Sequence, residues 1–367
     1  EITGDDNIDI ACLACDTSEV KKGCMFFCIE GGQVDGHKLY GKAVGDGAIA
    51  LVVEHYVKSQ VTQIKTEDTR KFMALVAKNY YHNAIDNMKL ICVVGTNGKT
   101  STTYLIDSIF TEAGYNTGLI GSNGVFICGE RFANKLTTPD PIDLHGWFYR
   151  MYLAKVQVVI MEVSAHAIYL DKLEGIRADA TVFTNCTQDH LDFFGTMEKY
   201  AETKASFFDK SHTKVAVVNA DDELGRKLIA EQKVSTVSYG YDSPSDIFAI
   251  DFVGSPDGIS YTMNLYDEVV KVNYSLCGKF NMYNTLAAAT VSRIFGIKVA
   301  TITQGITKVV KIDGRNETFI RKDGLRVVVD FAHTPDGIAN ILSYLKSVTK
   351  GRLIVVFGCG GNRDKLK

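Results

Sequence analysis

From residue 89 onward, short β-branched apolar runs alternate with helix-like segments: MKLICVV, then TTYLIDSIFTEAG, and later VQVVIMEVS, ADATVFTN and TKVAVVN. Within each run the apolar residues are continuous rather than alternating, so both faces of the strand are buried. Strands of that kind belong to parallel sheets, whose long crossovers lay helices over the faces. The pattern predicts an α/β core with a mainly parallel sheet. Residues 1–88 carry shorter strands, MFFCI and AIALVV, separated by glycine-rich turns such as EGGQVDG and followed by a helical stretch over 70–79. These form a separate small α/β domain. After Asn281 comes an alanine-rich helix, then a break at KIDGRNE, then two buried-strand patterns, LRVVVDFAH and GRLIVVFG, with a helical segment between them. The predicted domains are therefore 1–88, 89–312 and 313–367. One βα unit and a second strand are too few to bury a doubly wound sheet. The third domain is thus expected to be incomplete.

Composition agrees with several cores in one chain. A length of 367 residues exceeds one compact domain of ordinary size. No run approaches the roughly 20 apolar residues that cross a bilayer, so no membrane anchor is expected. Lysine and arginine number 40 against 43 acidic residues, which excludes the strongly basic face of a nucleic-acid-binding protein. The nine cysteines are odd in number and scattered, several in strand-like runs such as LICVVG, so a disulfide framework is not expected and a reducing cytoplasm fits. Cys12 and Cys15 have CxxC spacing but no second pair to complete a metal site, and read as small half-buried strand residues. The chain starts at Glu1 and stops at Lys367 in a run of charges, and its ends read as trimmed.

Candidate chemistry begins at VVGTNGKTSTT, which follows a strand and opens a helix. Gly95 and Gly98 let the backbone bend around an anion. The N–H groups of Thr96, Asn97 and the helix start face phosphates, and Lys99 adds positive charge. Either Thr100 or Ser101 offers a hydroxyl to Mg²⁺. Val93 stands at the first glycine of the longer GxxxxGK[ST] form, so the match is to GTNGKT. This is an ATP-site signal, and it names no reaction by itself.

MEVSAHA sets Glu162 and Ser164 at the end of a buried strand, where α/β sheets place their ligand crevice. Glu162 reads as an Mg²⁺ ligand or a solvated strand-end acid, and His166 as a structural histidine. The next strand, ATVFTN, leads into QDHLD, so Glu162 and His190 project from neighbouring strand ends into one crevice. Lys204 taken alone is a solvent-facing helix residue, although Ala205, Phe207 and Phe208 beside it leave room for a buried role. Asn281 and Asn284 share a helical face and suit either a base or phosphate contact or a capping role. Arg315 and Asp330 suit a phosphate and a ribose hydroxyl.

Read together, GTNGKTST, TTPD, MEVSAHA, FTNCTQDHLDFFGTMEKYAETK, GKFNMYN, GRNE, DFAHTPD and VFGCGGNRD occur in the order found in the Mur ligases, and the chain resembles that family along essentially its whole length. The resemblance implies a first domain that binds UDP, a central P-loop ATPase domain and a Rossmann-like third domain, here truncated. It implies ATP contacts from Gly95, Thr96, Asn97, Gly98, Lys99, Thr100, Ser101, Asn281, Asn284, Arg315, Asp330 and His333. Mg²⁺ is implied at Thr100, Glu162 and His190. The uridine part of the substrate falls near Thr17, Gly32, Gln33 and Val34, and its muramoyl-dipeptide part near Thr137, Thr138, Ser164 and Lys172. Lys204 matches the family lysine that is carbamylated, which turns an ammonium into a carboxylate able to bind or orient Mg²⁺.

The activity implied is ATP-dependent extension of UDP-MurNAc-L-Ala-D-Glu by a third amino acid, L-lysine or meso-diaminopimelate, through an acyl phosphate. Lys99, His190, carbamylated Lys204 and Arg315 are its implied catalytic residues. The resemblance also implies a cytoplasmic monomer with neither nucleic acid nor membrane as partner. The family motif that selects the amino acid falls beyond Lys367, so a protein ending there is expected to lack ligase activity. Two departures stand out: Ser18 and Lys172 occupy positions where the family commonly has arginine, and lysine keeps the charge but loses the bidentate fork. A folylpolyglutamate-synthase-like ligase is the rival enzyme reading, with AHTPD and GTMEKYAETK against it. A non-catalytic ligase-derived scaffold is the other rival, and retention of Lys99, Glu162, His190 and Lys204 argues against that.

Overall fold

The structure is a computed structural model that describes residues 1–32 and 34–358. The chain divides into two compact units, one comprising 1–85, 139–150 and 169–175, the other 86–138, 151–168 and 176–367.

The first unit is built on a five-stranded sheet in which Cys12–Ala14, at one edge, Cys24–Phe27, Ala48–Val53 and Thr62–Lys65 run parallel, with Ile2–Thr3 antiparallel at the other edge. The helix Thr69–Tyr80 starts where Asp68 accepts the N–H groups of Arg70 and Lys71, a side-chain N-cap. Its apolar stripe, Met73 and Ala77, packs on Leu13, Phe27 and Val52. Ala14, Phe26 and Leu51 close the opposite face of the sheet.

One disulfide is present where the cysteine spacing predicted none. Cys12 and Cys24 are register partners on adjacent strands, their Cα atoms lie 4.4 Å apart, and they form a disulfide. The scattered spacing of the cysteines hid this, because parallel pairing brings together residues that no local motif relates.

The second unit contains an 11-stranded sheet. Its centre is parallel as predicted, with Lys89–Val94 flanked by Val158–Val163 on one side and Ala178–Phe183 on the other. Beyond these lie Thr117–Gly121 on the first side and Thr213–Asn219, Ser235–Gly240 and Ile247–Ser255 on the second. Both margins turn antiparallel, through Gly124–Ile127 and Glu130–Phe132 at one end and Gly258–Leu265 and Glu268–Tyr274 at the other.

The helix Lys99–Glu112 buries Leu105, Ile106, Ile109 and Phe110 completely, each contributing about 1.5–3 kcal/mol. The helix Val299–Lys308 approaches it so closely that a Cβ on Gly305 would lie 2.5 Å from the Ile109 Cα, and Ser108 donates a hydrogen bond to the Gly305 carbonyl. A larger residue at 305 would push the phosphate-loop helix off its seat.

The region after residue 312 departs from expectation. Arg326–Val329 is a strand, but it pairs antiparallel with Glu317–Ile320 and leaves Val327 and Val329 exposed rather than buried. Residues 351–358, GRLIVVFG, form no strand and pair with none of the described strands. The remainder of VFGCGGNRD lies outside the described residues. The helical segment between is Pro335–Val348. Among the described residues, no helix is long and apolar enough to cross a membrane.

Candidate active site

The site sits where strand order reverses, the place at which open α/β sheets bind ligands. Register pairs Val94 with Val163 on one side and with Phe183 on the other, so the loops after these three strands open at one sheet edge. The strands carrying Glu162 and leading to His190 are thus not neighbours of each other, as the sequence had suggested. They flank the phosphate-loop strand on opposite sides.

The loop itself is tied down by the segment after Phe183. Thr184 Oγ1 donates to the Asn97 carbonyl at 2.7 Å, and the Asn97 N–H donates to Asn185 Oδ1 at 2.9 Å. Glycine is required by close approach: a Cβ on Gly95 would lie 1.8 Å from Thr184 Oγ1, and one on Gly98, at φ 85°, would lie 2.5 Å from Asn284 Oδ1. Lys99 Nζ donates to the carbonyls of Gly95 and Thr96 at 2.8 and 2.9 Å. Burial lowers its pKa, opposed by the nearby Glu162 carboxylate.

Of the two hydroxyls left open by the sequence, Thr100 is the one that faces Glu162, donating to its Oε2 at 3.0 Å. Glu162 is only 1% exposed, and its Oε1 accepts the Ser122 N–H at 2.9 Å. Gly121 makes this possible, because a Cβ there would lie 2.1 Å from Oε1. Ser122 also links Thr137 to the carboxylate, lying 3.0 Å from the Thr137 hydroxyl and 3.3 Å from Oε2. Gly121 and Ser122 escaped the sequence reading; the signal was the GSNG turn ending a buried strand.

His190 adopts the left-handed conformation at φ 56°. Its N–H donates to Asp189 Oδ1 at 2.9 Å, and its Nε2 lies 3.4 Å from Oδ2. The His166 ring stands 4.7 Å from it, edge to face. Asp189, buried and not singled out from sequence, also lies 3.6 Å from His333 Nε2.

Lys204 is fully buried, which corrects its reading as a solvent-facing helix residue. The helix Met197–Ser206 turns it inward, where Nζ donates to Thr96 Oγ1 at 2.7 Å and sits 3.4 Å from the Tyr200 ring centre. Burial lowers its pKa to about 7. An amine held near neutrality beside the phosphate loop has the free lone pair that reaction with CO₂ requires.

Arg315 Nη2 donates to Thr100 Oγ1 at 3.0 Å, and its guanidinium lies 4.4 Å from the Phe331 ring centre. Asp330 accepts the N–H groups of Asn316 and Ala332, each at 2.7 Å, and His333 Nδ1 lies 2.9 Å from the Phe331 carbonyl. Asn281 Nδ2 donates to the Cys277 carbonyl at 2.8 Å, and Asn284 Nδ2 donates to Asn281 Oδ1 at 3.0 Å. Ser101 is buried on the first turn of its helix.

The substrate candidates divide between the units. In the first, Thr17 opens a 3₁₀ turn capped by Asp16, and Gly32 and Val34 are exposed. Gln33 lies outside the described residues. Lys172 Nζ lies 2.7 Å from Asp140, so its charge is already paired. In the second unit, Thr138 Oγ1 donates to the Glu162 carbonyl at 2.9 Å and accepts the Ser164 N–H at 3.0 Å.

Among the described residues, no three His, Cys, Asp or Glu side chains converge as a metal cluster. The oxygen donors of Thr100 and Glu162 still fit Mg²⁺, which takes one or two protein ligands and completes its shell with water and phosphate oxygens.

The fold and this loop define a P-loop ATPase unit at a sheet switch point. The Mur ligase middle domain matches residues 93–292, the Mur ligase glutamate ligase domain 314–367 and the Mur ligase catalytic domain 9–81. The chain belongs to the Mur ligase family. It is 38% identical over 366 residues to the UDP-N-acetylmuramoyl-L-alanyl-D-glutamate--2,6-diaminopimelate ligase of Bacillus velezensis, covering 98% of this chain and 75% of the relative. The enzyme of the same name from Clostridium perfringens is 37% identical over 377 residues, covering 100% and 77%. A solved structure of a ligase with that name superposes with a TM-score of 0.82 at 28% identity, covering 97% of this chain and 74% of the other.

Proposed function

We propose that the protein joins diaminopimelate to the D-glutamate carboxylate of UDP-MurNAc-L-Ala-D-Glu at the expense of ATP. The observation that carries the reading is the convergence of Lys99, the Thr100–Glu162 pair and Arg315 on one phosphate loop. A carboxylate does not accept an amine until it has a leaving group. Its oxygen attacks the γ-phosphorus of ATP, ADP departs, and an acyl phosphate forms. The amine then adds to the activated carbonyl and phosphate leaves with its electron pair, while the amine proton passes to a base.

The chain's own residues mainly place and neutralise charge. The loop N–H groups and Lys99 hold the phosphates, and Lys99 leaves its two carbonyl partners to meet them. Arg315 reaches the same point from the third region and offsets charge building on the transferred phosphoryl group. Thr100 and Glu162 would hold Mg²⁺, with His190 as the further ligand that the family resemblance implies, and the ion would add charge neutralisation when bound. Lys204 as a carbamate supplies a carboxylate at the Thr96 side of the loop, and its buried, weakly basic amine supports that role.

The division 1–88, 89–312 and 313–367 follows from this assignment of parts. ATP and a UDP-linked acceptor are cytoplasmic metabolites, which supports a cytoplasmic site; the Cys12–Cys24 bond is the feature set against it. Diaminopimelate is preferred to L-lysine because the relatives at 37–38% identity are diaminopimelate ligases by name.

The test is product formation by the complete protein from ATP and UDP-MurNAc-L-Ala-D-Glu with meso-diaminopimelate or L-lysine in parallel. Product with diaminopimelate is expected. Product with L-lysine alone would overturn the amino-acid assignment, and activity only on a folate acceptor would overturn the reaction.

A further inference from the structure

Asn97 is unusual among the phosphate-loop residues in what its side chain does. Its N–H is held by Asn185, and its carbonyl by Thr184 and Asn185 Nδ2. The backbone is therefore committed to the cradle, and the carboxamide is turned to the third region. Its Nδ2 donates to Asp336 Oδ2 at 3.0 Å, with Thr187 Oγ1 at 3.3 Å and Thr334 Oγ1 at 3.4 Å.

The receiving end is equally constrained. Thr334 is 1% exposed and caps the helix Pro335–Val348 by accepting the Gly337 N–H at 3.0 Å. Asp336 lies in the first helical turn, where the exposed N–H groups favour a carboxylate, and its Oδ1 accepts from Asn340 Nδ2 at 3.0 Å. The chain between Arg315 and this helix is continuous and internally bonded: the Asn316 N–H is held by Asp330, and the strands Glu317–Ile320 and Arg326–Val329 pair. The third region thus touches the phosphate loop at two points on either side of Lys99, through Asp336 on Asn97 and through Arg315 on Thr100.

We propose that Asn97 and Asp336 form a latch, a pair of positioning residues that seats Arg315 and Asp330 over the bound nucleotide. The bond joins a neutral donor to a carboxylate, a combination stronger than a neutral pair. It draws an acidic residue to the loop without placing a second cation there. The inference rests on the ATP-dependent reading above.

A double-mutant cycle tests it. Asn97→Ala and Asp336→Ala each lower kcat/KM for ATP roughly ten- to hundred-fold. The double variant is no worse than the worse single one, because each removes the same bond. Asp336→Asn, whose amide oxygen still accepts from Asn97, stays within a few-fold of the starting protein. A second readout needs no turnover: hydrogen exchange at the Gly337 and Ile338 amides is faster in Asn97→Ala. Effects that multiply in the double variant, or unchanged exchange in Asn97→Ala, overturn the latch. Faster exchange in a protein that makes no amide product would keep the latch and remove the reading of function.

Discussion

Replacing Lys204 by methionine separates what this residue does for the fold from what it does for the reaction. The side chain is fully buried and its amine has a pKa of about 7, against 10.5 when unperturbed. Below pH 7 both folded and unfolded chains carry the proton, and the fold bears the whole cost of a buried ammonium. Between about 7 and 10.5 the unfolded chain binds more protons than the folded one, so the stability of the native protein rises with pH through that window and falls as pH drops back toward 7. Methionine does not titrate. Its stability relative to the native protein should therefore be most favourable in acid and decline by roughly 3 kcal/mol between pH 6 and pH 9, two pKa steps at about 1.4 kcal/mol each. Urea unfolding of both proteins in CO₂-free buffer gives the difference at each pH. The variant should be inactive throughout, and activity should return in part to Lys204→Ala when a short carboxylic acid is added. A stability difference that does not change with pH would refute the buried, near-neutral amine; an active methionine variant would refute its role in the reaction.

Gly121→Ala places a Cβ 2.1 Å from Glu162 Oε1 and must move that carboxylate by about 1 Å, so kcat should fall on the order of 100-fold, measured as ATP-dependent product formation, while the fold persists by circular dichroism. Arg315→Lys keeps the charge but loses the planar fork on Thr100 and Phe331, and steady-state kinetics should show a lower kcat with ATP affinity less affected. Thiol titration of the denatured protein should find two fewer reactive groups before reduction than after it, with Cys12 and Cys24 identified by mass; equal counts would exclude the bond.

The phosphate loop was legible because its chemistry is local: strand, glycines, lysine and helix start are contiguous in VVGTNGKTSTT. Glu162 was legible for the same reason, at the end of one apolar run. What the chain does not display is which strands become neighbours. The insertion of Lys89–Val94 between the strands of Glu162 and His190 depends on partners distant in sequence, and the pairing of Cys12 with Cys24 on the register of two parallel strands, whereas the antiparallel margins of the large sheet are hairpins with two-residue turns. Lys204 shows the limit most plainly. Its helix is largely polar, and Lys204 is buried where that helix packs against Thr96 of the phosphate loop and Cys186, with Tyr200 of the same helix over its amine. Gly121 was one glycine among 32 until the Glu162 oxygen beside it gave a reason for the missing side chain.

In the proposed reaction the D-glutamate carboxylate attacks the γ-phosphorus of ATP. UDP-MurNAc-L-Ala-D-Glu bearing heavy oxygen in that carboxylate, incubated with the protein, ATP and diaminopimelate, tests it by mass analysis of the phosphate released. The phosphate should carry one labelled oxygen from the carboxylate for each amide bond made. Amide product accompanied by unlabelled phosphate would contradict it.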